Sequence, residues 1–201
     1  MSSAVQICKL ALGHLGDSAD ITSIAPPDGS VQAAQCAVFY PLARDALLTM
    51  RDWTFATKRV ELSLSADDPP DGWSFAYSLP SDCLRPQVLL NDGADRDEDA
   101  QPFVVEGQTI YTHVENAWLR YTFQVVDAVR FPPLFVVALS RLLASMLAGP
   151  LIRGKEGRDI AKDQYSLAVK VEIPEAAASD KNSQNNCRYG DFTPESIGAR
   201  A

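Results

Sequence analysis

An α+β fold follows from two changes of hydrophobic period and one change of composition. Apolar residues recur at helical spacing at the start of the chain, alternate at strand spacing from Thr54, and return to helical spacing after Phe131. Beyond Pro174 the composition turns polar. Together these predict an antiparallel-type helical bundle of about four helices, a small inserted antiparallel β-region of about four strands, and an extended C-terminal arm. The expected domains are a discontinuous helical part (1–53 and 131–178), a β-region (54–130) and the arm (179–201).

The first helix is expected over Ala4 to Leu15, with Val5, Cys8, Leu12 and Leu15 on one face and Gly16-Asp17 as its left-handed stop. Turn chemistry at Ala25 to Ser30 offers Asp28 or Ser30 as the cap of a second helix, Val31 to Asp52, with Pro41 inside it. Val60, Leu62 and Leu64 alternate with polar neighbours as a half-buried strand, and Val88 to Leu90 supplies a second. Pro102 to His113 reads as a hairpin turning on Gly107-Gln108, and Ala117 to Val126 as a further strand. Pro132-Pro133 opens an apolar helix, Leu134 to Leu147, interrupted by Gly149-Pro150. A last helix, Gly154 to Ile173, presents Ile160, Leu167 and Val171 on its apolar face. Trp53, Phe55, Trp73 and Tyr77 read as rings that bolt the end of the second helix into the β-region.

Composition bounds the function. At 201 residues and 46% hydrophobic, the chain can bury a real core. Its formal charge of −8 opposes adhesion to nucleic acid or anionic membrane. The N-terminus lacks a signal-peptide pattern, and Arg141 breaks the most apolar run, so a soluble protein made in a cytosol is expected. Cys8, Cys36, Cys83 and Cys187 form no C-x-x-C pair, which favours reduced thiols over a metal site. Cys8 and Cys36 fall on helices expected to be neighbours.

Catalytic patterns are weak. The acidic run Asp92 to Asp99 lacks the spacing of a calcium loop. Asp67, Asp68 and Asp71 sit in a proline-rich loop that would not desolvate a general acid. His14 and His113 show no serine or cysteine partner in the sequence. Arg153 to Arg158 has no phosphate-loop spacing and reads as a basic turn. No enzyme, cofactor or metal is expected.

One string of residues carries a family resemblance: the helix Ala4 to Leu12 with Leu15-Gly16 and Ile21 to Ile24, then Asp28, Ser30, Tyr40, Arg44-Asp45, Leu48 and Trp53-Phe55-Ala56. Trp73, Ala76-Tyr77, Leu79-Pro80 and Asp82 to Arg85 follow, with a looser match at Phe131-Pro132, Phe135, Ala138 to Ala148 and Tyr165 to Ala168. In this order they resemble the tail tubular protein A family of tailed phages, the head-to-tail adaptors. The resemblance covers about Ala4 to Ala178 and rests on element order more than on any single motif.

That resemblance implies a virion structural protein of the tail or neck, assembled in the host cytoplasm. It implies a homo-oligomeric ring of about twelve copies contacting a portal protein, a tail nozzle protein and tail fibres or spikes, with DNA passing through unbound. The arm matches no family motif; its Tyr189, Phe192 and Ile197 are read as a portal anchor that orders on assembly. Arg153 and Arg158 are candidate contacts for Asp95, Asp97 and Glu98 of the next subunit. About twelve copies at −8 would bring roughly −96 formal charges, and an acidic bore is expected to repel passing DNA. Readings of other classes are a tail-associated peptidoglycan hydrolase doubling as adaptor and a monomeric intracellular binding protein.

Overall fold

A reciprocal cap at Ser3 starts the first helix. Its hydroxyl accepts from the Gln6 N–H at 3.2 Å while its own N–H donates to Gln6 Oε1 at 3.0 Å, satisfying donors that a helix start leaves orphaned. The computed structural model describes residues 3–66, 68–92, 99–152 and 154–185. Helix α1 (Ala4–His14) buries Ile7, Cys8, Ala11 and Leu12. Gly16 follows at φ +75°, the left-handed conformation a helix stop requires. Ser30 is the cap of α2 (Val31–Met50): its hydroxyl accepts from the Ala33 N–H at 3.1 Å and donates to Asp28 Oδ1 at 2.7 Å. Helix α2 runs through Pro41 and ends just before the expected Asp52.

Helix α3 (Pro133–Leu151) opens on proline as expected but continues through Gly149-Pro150. Proline in the last turn forfeits one backbone bond only, so the helix tolerates it there. Helices α1, α4 (Gly154–Leu167) and α5 (Ile173–Asn185) pack on α3. Leu139, Leu142, Leu143 and Leu147 are fully buried, each contributing roughly 1.5–3 kcal/mol.

Two expectations fail after Gly154. Between α4 and α5 lies a π turn, Ala168–Glu172, closed by the Ile173 N–H donating to the Ala168 carbonyl. Along this stretch Gly157, Ala168, Ile173 and Ala176 face inward, while of the expected apolar face Ile160 is half-buried and Leu167 and Val171 are exposed. The segment from Ser179 to Asn185, read as the start of an arm, is helical. Asp180 explains it: buried at 7% exposure, it accepts from the Thr54 N–H at 2.6 Å and the Thr54 hydroxyl at 2.7 Å.

The chain divides into two units, one made of Arg44–Asp52 and Ala56–Asp127, the other of the remaining described residues. The end of α2 therefore belongs with the strands, where Gln124 Nε2 donates to Asp45 Oδ2 at 2.8 Å and Arg85 pairs with Asp52. Trp53 and Phe55 do not. Trp53 meets Phe135 edge-on at 4.9 Å, and Phe55 meets Phe131 and Phe135 at 6.1 and 5.0 Å. Both rings pack within the helical unit, where Trp53 was expected, whereas Phe55 was expected in the β-region.

The second unit holds six described strands: β1 (Thr57–Glu61), β2 (Phe75–Ser78), β3 (Cys83–Leu90), β4 (Phe103–Glu106), β5 (Thr109–Thr112) and β6 (Trp118–Phe123). They form two three-stranded antiparallel sheets, β1-β6-β3 and β2-β5-β4, instead of one sheet of about four. Leu119, Tyr121 and Phe123 of central β6 are buried, as their alternation predicts. Pro86 is accommodated because β3 is an edge strand. The hairpin β4–β5 turns on Gly107-Gln108, with Gly107 at φ +60° and Glu106 opposite Thr109. Beyond β1 the chain leaves its sheet, and Leu64, expected inward, bridges to Tyr77 and is exposed.

Candidate functional site

Of the residues singled out for assembly contacts, Arg158 is placed on α4 with its side chain exposed. Arg153, Asp95, Asp97, Glu98, Tyr189, Phe192 and Ile197 lie outside the described residues. The structure therefore does not bring the basic turn and the acidic run together or separate them. Asp92 and Asp99, the described ends of that run, are exposed, as are Asp68 and Asp71. Among the described residues no group of three or more His, Cys, Asp or Glu side chains could hold a metal ion. A shallow groove of about 550 Å³ beside α1 is lined by Lys9, Asp17 and Asp20, and Lys9 is paired with Asp20 across it.

Both histidines have serine partners, which the sequence did not reveal. His14 Nε2 lies 3.1 Å from Ser140 Oγ, and His113 Nδ1 lies 3.0 Å from Ser74 Oγ. Ser140 is 1% exposed and donates its one proton to the Val137 carbonyl at 2.8 Å. The imidazole must then donate to the serine, which is the reverse of what a general base does. His14 braces α1 against α3. Burial lowers its pKa below the ordinary value; the Arg141 charge adds to that and Glu172 opposes it. His113 and Ser74 are exposed, with Trp73 stacked on the imidazole at 4.9 Å.

A polar network crosses the helical unit beside that contact. Arg141 Nε donates to Glu172 Oε1 at 2.9 Å and its Nη1 to Gln164 Oε1 at 3.0 Å, while Gln164 Nε2 donates to the His14 carbonyl at 3.3 Å. Helix α3 is, among the described residues, the one helix long and apolar enough to cross a membrane, with mean hydropathy 1.8. Its Arg141 is held by Glu172, Leu139, Leu142, Leu143 and Leu147 are fully buried, and α1, α4 and α5 pack on it, the pattern of a core helix.

Large apolar side chains stand outward on several helices, Leu10 of α1 and Leu134 and Val137 of α3 among them, and most densely on two segments. On α2 these are Val31 (65% exposed), Val38 (56%) and Leu42 (58%), with exposed Ala34 completing a stripe at helical spacing. No charged residue interrupts α2 from Val31 to Ala43. Tyr165, Leu167 and Val171 do the same after Gly157. Mostly small residues (Ala33, Cys36, Ala43, Ala168) face inward here, beside Tyr40 and Ile173, while these large apolar ones face outward. The sequence hides this, because both faces are apolar and period alone cannot rank them. Neither a protein-family profile nor a curated protein matches this chain.

Proposed function

We propose that this chain is a structural head-to-tail adaptor of a tailed phage virion, a ring between portal and tail nozzle through which DNA passes. The observation that carries the reading is the uncharged α2 stripe Val31, Ala34, Val38 and Leu42, because exposed contiguous apolar surface marks interaction sites. In this reading the helices act as a bundle of about four whose outward faces make lateral contacts between copies. Tyr189, Phe192 and Ile197, beyond the last described helix, anchor the portal. Arg153 and Arg158 meet Asp95, Asp97 and Glu98 of the next copy, and acidic side chains line the bore. The role is structural and needs no cofactor.

Negative-stain imaging of the purified chain, with and without a portal, tests this. Rings that dock on the portal are expected. Val38→Asp with Leu42→Asp should leave monomers, and truncation after Asn185 should leave rings that no longer dock. A monomer indifferent to portal, or clearing on a peptidoglycan zymogram, would overturn the proposal.

A further inference from the structure

Strand β4 leaves one side of its sheet open. On the far side of that sheet β2 is already covered: the Ser65 N–H donates to the Ala76 carbonyl at 2.8 Å, and the Ser78 N–H to the Ser63 carbonyl at 2.9 Å. Across the two-residue turn Gly107-Gln108, Glu106 and Thr109 are the first hydrogen-bonded pair, and alternation makes Val104 and Tyr111 the next. The N–H and carbonyl groups of Phe103 and Val105 therefore point away from the sheet. No described residue bonds them.

The edges of the other sheet are blunted. Strand β1 carries Lys58, Arg59 and Glu61, and β3 carries Pro86 and two register shifts. Strand β4 has no such device: its register is continuous, it holds no proline, and its single charge, Glu106, stands beside the turn. Its inner layer is also unfinished. Phe103 and Val105 lie opposite Thr112 and Ile110, which are fully buried, yet Val105 is 36% exposed. A valine on the core side of a sheet with that exposure lacks a cross-strand neighbour.

We infer that β4 binds β4 of a second copy, antiparallel, around a two-fold axis through Val104. In this register Phe103 of each copy meets Val105 of the other, and Val104 meets Val104. Both outward residues of each strand then face outward residues of its mate; centring on Phe103 or Val105 would leave one beyond the strand's end. Phe103 covers the open flank of Val105. Glu106 falls opposite Pro102, so the two carboxylates stand at opposite ends, whereas parallel pairing would set them side by side. About four main-chain bonds make a weak contact, populated at high protein concentration. The inference goes beyond the adaptor reading and stands whether or not that reading holds.

The test uses the full chain carrying Cys83→Ser and Cys187→Ser, with Val38→Asp and Leu42→Asp to remove contacts through the α2 stripe. In this background Val104→Cys should form a disulfide-linked dimer under mild oxidation of a concentrated solution. Residues facing each other in a non-hydrogen-bonded pair have Cα atoms about 4.5 Å apart, within disulfide reach. Val105→Cys, at similar exposure, should stay monomeric, because its two copies stand about 8 Å apart across the axis. Phe103→Cys mixed with Val105→Cys should give the linked pair that neither gives alone. Adding Val105→Pro to Val104→Cys removes an outward donor and no ladder bond, so cross-linking should be lost while the circular dichroism spectrum is kept. Equal cross-linking of Val104→Cys and Val105→Cys would overturn the proposal. So would the absence of a Val104→Cys dimer, the result expected of an edge reserved for a different protein.

Discussion

Asp180 and Thr54, 126 residues apart, are joined by two hydrogen bonds: the Asp180 carboxylate accepts from both the N–H and the hydroxyl of Thr54. The pair fixes α5 to the turn Thr54–Ala56, which places Trp53 and Phe55 against Phe131 and Phe135. Charge-assisted bonds to a buried carboxylate are among the stronger polar contacts, and losing the acceptor leaves the Thr54 N–H unsatisfied. Asp180→Ala should therefore destabilise the helical unit by about 2–3 kcal/mol. Thr54→Val, which keeps the backbone donor, should cost about half as much. Urea unfolding followed by tryptophan fluorescence reads both, and equal effects would refute the ordering.

That pair shows where sequence reading reaches its limit. Helix starts are legible because caps act within one turn: Ser30 and Pro133 declare themselves, as Gly16 does at a helix stop. The β4–β5 hairpin is legible for the same reason, since Gly107 alone sets the turn. Strand β2 is not, because four residues between Trp73-Ser74 and Leu79-Pro80 are too few to establish a period. Nor is the helix through Asn185, whose inward residue is a carboxylate satisfied by a partner far off in the chain.

The surface was harder to read than the core. Val171 lies inside the π turn, which has no local sequence signature, and Leu167 stands outward beside the small buried Ala168. Exposure of Arg158 was evident from its charge. The serine partners of His14 and His113 come from 126 and 39 residues away, beyond any motif.

Gly157 offers a sharp mutational contrast. A Cβ there would lie 1.9 Å from the Ile152 carbonyl oxygen and 3.0 Å from that of Ala148, both backbone atoms that cannot swing aside. Gly157→Ala should force α4 off α3 and cost more than about 3 kcal/mol, an overpacking effect at the upper end of the usual range. Gly149, in α3, has nothing within 4 Å of its would-be Cβ. Gly149→Ala should stabilise by about 0.5–1 kcal/mol through helix propensity. Opposite shifts in the urea midpoint are expected, and shifts of the same sign would refute the close approach.

His14 sets a pH dependence in the helical unit. Its folded pKa lies below the unfolded value, so the unfolded chain takes up the proton more readily. Stability is complete above the unfolded pKa of about 6.5 and declines as pH falls from there toward the folded value. Replacing the imidazole with an amide, His14→Gln, should flatten that decline. Urea midpoints of wild type and variant between pH 7.5 and pH 5 decide it, and parallel curves would exclude His14 as the source.

Asp82 predicts an acid response in the β unit. Burial pushes its carboxyl up, but hydrogen bonds from Lys58 at 2.5 Å and Tyr121 at 2.8 Å, with the Lys58 charge, outweigh it and leave the pKa lowered. The stability it contributes is present above the unfolded carboxylate pKa of about 4 and is lost as pH falls through the folded value. With the Asp82 side chain 38% exposed, solvent screening limits the contribution to less than about 1 kcal/mol. Burial first, and then Asp82, raise the Tyr121 pKa and keep its phenol a donor to Asp82. Tyr121→Phe removes one of the opposing bonds, so the acid transition of the β unit should move to higher pH. Lys58→Met should move it further, since it removes both a bond and a charge. Circular dichroism of the three proteins between pH 5 and pH 2 tests this order, and an unmoved transition in Lys58→Met would show that Asp82 does not govern it.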